Sequence, residues 1–255
     1  KLKLLTTVAY RYLFAKKSHN IINIISMISA IGIAIGTASL IIILSVYNGF
    51  EGLVKEMYSI HEPDIIITAS KGKGFEANTI EFNSISNDPR IEAFCPIIQE
   101  NVFVKYGNNQ SVAVIKGVDS SYVQITPIKK RVKEGSFKLF HGEVPHAVLG
   151  REIAYNLGVR VHFLEPIYLY FPSRFAQISF VNPASKLNSE RLFPSGIFTI
   201  DQNVDKQLIF IPIDVARELL EYDTEVTGIE IFTKDRNTSD LQKEIKELLG
   251  SDFQV

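Results

Sequence analysis

At 255 residues the chain is long enough for a membrane segment plus one sizeable domain or two small ones, and 27 Lys+Arg against 28 Asp+Glu leave it nearly neutral. That balance argues against a nucleic-acid surface. The single cysteine, Cys95, cannot form an internal disulfide, so any folded part must be held by packing.

Leu4, Leu5, Val8, Tyr12 and Leu13 fall on one side of a predicted helix that also carries Arg11, which suits a short element lying on a membrane surface. Residues 20–50 then hold no charge and are rich in isoleucine. At roughly −0.5 kcal/mol per large apolar residue, insertion into a bilayer gains on the order of 6 kcal/mol before small and polar residues offset part of it. As one helix the stretch is roughly 46 Å long against a hydrocarbon core of about 30 Å, so it can continue beyond the bilayer. Tyr47, Phe50, Leu53, Val54, Met57 and Tyr58 recur at helical spacing among polar residues and predict an amphipathic stalk. Ser29, Gly32, Gly36 and Ser39 form a small-residue strip on which another helix can pack closely.

Lys1, Lys3, Arg11, Lys16 and Lys17 precede the span with no acidic residue, whereas Glu51, Glu56, Glu62 and Asp64 follow it with only Lys55. The positive-inside rule places the N-terminus in the cytoplasm and the rest of the chain outside. A cleaved leader would have an apolar core of about 7 to 15 residues and a small-residue cleavage site, which Tyr47-Asn48-Gly49-Phe50 does not resemble. The span therefore reads as an uncleaved anchor. Trp is absent, and Tyr10, Tyr12, Phe14, Tyr47 and Phe50 are the available interfacial aromatics.

Beyond the stalk the pattern is mixed. Strands are predicted over residues 64–69, 101–106 and 111–118, the last two joined as a hairpin across Gly107-Asn108-Asn109, with a short helix over 79–87. A second, largely β region runs over 128–222. It holds a helix over 151–157 stopped by Gly158, strands over 167–171, 177–181, 196–199 and 207–211, and a loop or hairpin extension over 183–194. A helix over 214–220, a strand over 227–233 and a helix over 240–249 follow. The last is expected to carry a capping box of Ser239 and Gln242 and to end at Gly250. Phe253-Gln254-Val255 reads as a strand just beginning.

Catalytic motifs are missing. Lys71-Gly72-Lys73-Gly74 lacks the spacing and terminal hydroxyl of a phosphate-binding loop, and there is no Gly-x-Ser-x-Gly elbow. His61-Glu62-Pro63-Asp64-Ile65 lacks the second histidine of a zinc protease. His141 and His146 flank Glu143, an arrangement read as a turn with two solvated histidines in preference to a metal site. No cofactor is expected.

Ser45-Val46-Tyr47-Asn48-Gly49-Phe50-Glu51, straight after Gly32-Ile33-Ala34-Ile35-Gly36-Thr37, carries a resemblance. With Tyr10-Arg11-Tyr12-Leu13, His61, Leu149-Gly150-Arg151-Glu152-Ile153-Ala154, Leu157-Gly158-Val159, Gly196-Ile197-Phe198, Asp205 and Val226-Thr227-Gly228-Ile229-Glu230, the chain resembles the permease subunits of lipoprotein-releasing ABC transporters, the LolC/LolE type. The likeness spans nearly the whole chain and is strongest over the first 60 residues. Two departures touch loops: His162-Phe163-Leu164-Glu165 stands where the family commonly has Gly-Asp, and the glycine often found near Thr199-Ile200-Asp201 is absent.

The resemblance implies an α/β membrane protein: a cytoplasmic interfacial helix (1–19), a first transmembrane helix with its stalk (20–60), and a periplasmic α+β porter-like domain. That domain would have two halves (61–127 and 223–255) around an inserted β-rich subdomain (128–222). It also implies three further spans after this chain and a bacterial inner-membrane location. The implied partners are a cytoplasmic ABC ATPase subunit that hydrolyses ATP, a second permease subunit, a lipoprotein substrate, a periplasmic lipoprotein carrier and membrane lipids. Leu44, Tyr47, Phe50 and Leu53 would face the acyl chains or pack against a partner span, and Phe175, Asn182 and Pro183 in the stretch 175–191 would meet the carrier. Two alternatives stay open: another mechanotransmission permease of the macrolide-efflux or FtsX type, and a single-span anchored binding module.

Overall fold

The computed structural model describes residues 4, 6–8, 10, 11, 21–58, 63–161, 165–174, 187–234 and 238–255, with side chains of the first long helix described for residues 24–50. Residues 4, 6–8, 10 and 11 are helical. Helix α1, Ile21–Tyr58, runs unbroken for 38 residues, so the apolar segment and the predicted stalk are one element. Its stretch Ile24–Phe50 is long and apolar enough to cross a membrane, and none of it is buried within the chain. The molecule divides into two compact units, Lys1–Glu56 and Met57–Val255.

The second unit is built on one large sheet. Its strands are β1 (Ile65–Ala69), β3 (Ile91–Tyr106), β4 (Asn109–Val118), β5 (Val132–Gly135), β6 (Phe140–His141), β7 (Val144–Gly150), β8 (Ile167–Pro172), β9 (Leu187–Phe198), β10 (Leu208–Pro212), β12 (Gly228–Thr233) and β13 (Phe253–Gln254). Among the described residues the order is β13-β1-β12-β3-β4-β10-β7-β9-β5, with β8 also bridging β3 and β9 and β6 pairing β7. A separate small ladder pairs β2 (Phe75–Glu76) with β11 (Glu225–Val226). The sheet passes without a break through residues 128–222, because β10 is hydrogen-bonded to both β4 and β7.

Helices α2 (Ile80–Ser86) and α7 (Ser239–Leu249) pack Phe82, Ile85, Leu241 and Ile245 on Ile65, Ile67, Ile229 and Ile231. Helices α4 (Arg151–Leu157) and α6 (Ile213–Leu220) cover the rest of the sheet through Ile153, Leu157, Ala216 and Leu219. A third core, with Cys95, Ile97, Phe137, Phe198 and Phe210, lies under α3 (Tyr122–Ile125) and the 3₁₀ turn Pro127–Arg131.

Most predicted elements are present, and α4 has the predicted bounds with its stop at Gly158 in the left-handed region, φ 72. Three expectations change. The β3–β4 turn is Gly107-Asn108, because Asn109 already pairs with Tyr106; glycine with positive φ at the first turn position suits a two-residue hairpin. Much of the stretch expected as a loop is strand β9, which pairs with β8 from Leu187 to Leu192. Ser189 and Arg191 are exposed on one face of this strand, while Asn188 and Glu190 lie partly buried on the other, Asn188 Nδ2 donating to the Leu219 carbonyl at 3.0 Å. The capping box is not formed: the N-cap is Thr238, and Gln242 Nε2 donates to the Val255 carbonyl at 3.1 Å. The predicted strand over 177–181 lies outside the described residues.

Candidate functional site

In the first unit the chemistry is that of a surface. At about 100° per residue, Ser29, Gly32, Gly36 and Ser39 fall within a sector of about 80°, and Tyr47 and Phe50 lie on the same sector further along the helix. Leu44 sits about 60° to one side of it. Leu44, Tyr47 and Phe50 are exposed, and a Cβ at Gly32 or Gly36 would meet nothing within 4 Å. Thr37, about 80° to the side of the strip, satisfies its hydroxyl inside the helix against the Ile33 and Ala34 carbonyl oxygens at 2.9 and 3.0 Å. The side chain of Leu53 lies outside the described residues.

Among the described residues, the second unit presents a sheet face that no helix covers. Val112, Phe103, Tyr170 and Ser189 form one cross-strand row over β4, β3, β8 and β9, and Gln110, Lys105, Tyr168 and Arg191 form the next. Phe103 and Tyr170 stand 6.2 Å apart by ring centroids, and Tyr168 stacks beside Tyr170 at 6.5 Å. The face leads to the base of the segment joining β8 to β9, where Glu221 accepts from Ser173 Oγ at 2.7 Å and from the Arg174 amide at 2.6 Å. Glu221 is the non-glycine residue with positive φ among those described, held there by these bonds at the C-terminus of α6. Phe175, Asn182 and Pro183 lie outside the described residues. The exposed aromatics escaped the sequence reading because Val102-Phe103-Val104 reads as uniformly apolar and hides which residue points outward.

Three of the residues that carried the resemblance, Gly150, Gly196 and Asp205, are joints in the sheet domain. A Cβ on Gly150 would lie 2.5 Å from the Asp205 carbonyl oxygen, and one on Gly196 would lie 2.6 Å from that of Ser136. Asp205 in the short helix α5 (Gln202–Asp205) accepts the Ile200 amide at 2.8 Å, and burial raises its carboxyl above the ordinary carboxylate range. Beside this joint a groove of about 650 Å³ is lined by Arg151, Glu152, Tyr155, Thr199, Asp201 and Gln202. His141 and His146 have ring centroids 6.1 Å apart, and His146 Nδ1 lies 2.9 Å from the Val144 carbonyl oxygen.

One ionic cluster is buried. Lys116 Nζ donates to Glu230 Oε1 at 2.6 Å and to the Tyr122 hydroxyl at 2.9 Å, and Tyr122 donates to Glu230 Oε2 at 3.0 Å. Burial pushes the Lys116 ammonium below the usual lysine range and the Tyr122 hydroxyl above the usual tyrosine range; it also lifts the neighbouring Cys95 thiol to about 12. The sequence signal was a lysine inside the apolar run of β4 and a glutamate between Ile229 and Ile231.

What the geometry of the described residues offers is an apolar helix long enough to cross a membrane and a second unit built on one large sheet. The sequence model of the MacB-like periplasmic core domain matches residues 26–248. The chain belongs to this family. It is 26% identical over 234 residues to the lipoprotein-releasing system transmembrane protein LolE of Haemophilus influenzae, a match covering 89% of this chain and 54% of that one. It is 27% identical over 254 residues to LolC of Buchnera aphidicola subsp. Schizaphis graminum, covering 94% and 58%. The chain thus spans little more than half the length of these curated relatives. The extracellular domain of the ABC-type transporter YknZ from Gram-positive bacteria shares the fold at TM-score 0.50 and 8% identity, covering 75% of this chain and 98% of that one. The periplasmic region of MacB from Actinobacillus actinomycetemcomitans does so at TM-score 0.50 and 13% identity, covering 74% and 86%.

Proposed function

We propose that this MacB-like chain is the first-span and outer-domain part of a permease subunit that extracts lipidated proteins from the inner membrane and hands them to a periplasmic carrier. The observation that carries this reading is a single polypeptide in which a 27-residue apolar helix, Ile24–Phe50, leads into a MacB-like core domain, with relatives named for lipoprotein release along about nine-tenths of it. The role is mechanical, and ATP hydrolysis belongs to a separate cytoplasmic ATPase subunit. The N-terminus is cytoplasmic and the large domain periplasmic, in keeping with the five cations ahead of the span.

The strip of Ser29, Gly32, Gly36 and Ser39 packs against another span, of this subunit or of a second permease subunit. Leu44, Tyr47, Phe50 and Leu53 at its outer end wall the path of the acyl chains. The segment holding Phe175, Asn182 and Pro183 meets the carrier, supported by the open aromatic face at its base.

The test is to purify the full-length protein from detergent with the products of its own operon. An ATPase and a triacylated lipoprotein co-purify, and Phe50→Asp abolishes the lipoprotein while leaving the ATPase. A cell-wall hydrolase in place of lipoprotein would move the reading to an FtsX-type permease. Macrolide export by the purified assembly would move it to the efflux type; a MacB from Acinetobacter baylyi, named a macrolide export ATP-binding/permease protein, is 26% identical over 110 residues, covering 39% of this chain and 16% of that one. A gene encoding no further apolar spans would favour an anchored binding module.

A further inference from the structure

Strand β3 serves two lobes of the outer domain. Residues 91–97 pair with β12, under α2 and α7, and residues 98–106 pair with β4, under α4 and α6. Its burial changes phase at the boundary: Ala93, Cys95 and Ile97 turn to the core under α3, and Ile98, Val102, Val104 and Tyr106 to the core under α4 and α6. β12 and β4 lie on opposite edges of β3 and share no ladder.

The apolar core under α3 crosses this boundary, joining Cys95, Ile97 and Phe232 to Val118, Tyr122 and Phe210, and two polar sets of side chains cross it as well. Thr227, just before β12, donates its amide to the Ile97 carbonyl at 3.0 Å and accepts the Gln99 amide on its hydroxyl at 2.6 Å. The larger set is the buried cluster: Glu230 stands on β12 opposite Cys95, Lys116 on β4 opposite Gln99, and Tyr122 on α3 closes the triangle. The Lys116 and Glu230 side chains are 4% and 3% exposed. The other ion pairs among the described residues that join the lobes, Lys73 with Glu100 and Arg174 with Glu225, involve exposed cations. Beside the cluster lies a cavity of about 210 Å³, lined by Pro63, Gln99, Val114, Gln207, Lys116 and Glu230, which leaves room for these side chains to move.

A buried ion pair contributes little net stability over apolar residues of the same size, but it is directional and can select one arrangement among near-equals. The geometry points to Lys116, Tyr122 and Glu230 as a clip that sets the angle between the two lobes of the outer domain across the Ile97–Ile98 junction. Without it the two halves of the sheet stay folded and linked through β3 and the apolar core they share at Cys95, Ile97 and Phe210, and sample a wider range of angles about β3. This holds whatever the transporter carries.

Spin labels on Ile80→Cys in α2 and Tyr155→Cys in α4, both 85% exposed, report the inter-lobe distance in the full-length membrane protein. Cys95, buried and with its thiol lifted to about 12, stays unlabelled at neutral pH. The unmodified clip gives a single narrow distance distribution. The paired replacement Lys116→Met with Glu230→Leu removes both charges together and gives a broadened or shifted distribution at unchanged circular dichroism. A narrow distribution at the original distance in that folded variant overturns the proposal. Should the pair not fold, Glu230→Gln keeps size and hydrogen bonding while removing the charge attraction. It broadens the distribution if the clip acts as inferred, and leaves it unchanged if the cluster merely fills the core.

Discussion

Glycine 150 shows how a motif residue can be fixed by space alone. Its missing Cβ is the room taken by the Asp205 backbone, so Gly150→Ala forces the α4 entrance and the α5 turn apart. Overpacking of this kind costs about 1–3 kcal/mol, to be seen as a lowered urea midpoint at unchanged slope. Lys116 poses the opposite problem, a group whose removal strands its partner. Lys116→Met alone leaves the Glu230 carboxylate buried without a counter-charge and is expected to cost roughly 3–5 kcal/mol, whereas the paired apolar replacement restores most of it. A thermal unfolding series over both single variants and the pair measures the difference. Neither residue could be assigned its contact from sequence, because each meets a group about 55 or more positions away.

At the scale of elements, α2 and α7 were legible from helical spacing. What joins them was not. Arg90, after the α2 turn, donates to both Asp88 and Glu244, the second on α7. The Arg90 guanidinium holds both carboxyls below their usual range and is itself raised by them. For carboxylates with depressed folded values, the stabilisation is complete above their ordinary range and is lost as pH falls through the depressed values. Arg90→Ala therefore lowers the melting temperature slightly at neutral pH, and the gap from the unmodified protein closes as the pH is taken down through the carboxylate range. Melting curves across that range at low salt check this; added salt shrinks the gap because the network is solvent-exposed. Strand β9 is the element that sequence placed too late, since Asn188, Ser189, Glu190 and Arg191 have the composition of a loop. Only pairing with β8 makes that stretch a strand, which continues against β7 from Phe193.

For the whole molecule, orientation across the membrane is the reading on which the transport proposal depends. A membrane-impermeant maleimide applied to intact spheroplasts labels Ile80→Cys if the outer domain lies outside the cytoplasm, with Cys95 silent in the parent chain. Labelling only after lysis inverts the topology. The sequence by itself determined the long apolar helix and the charge asymmetry from which its direction is proposed, because hydrophobic transfer and the distribution of positive charge are summed along the chain and need no partner. It also located most helices and strands, since their periodicity is local. Only the tertiary structure decided that β3 serves two lobes, that Phe103 and Tyr168 stand exposed beside Tyr170 on one face of the sheet, and that Lys116 meets Glu230 between strands that share no ladder. Those features depend on which covering element ends where and on residues brought together from 114 positions apart, distances over which local pattern carries no information.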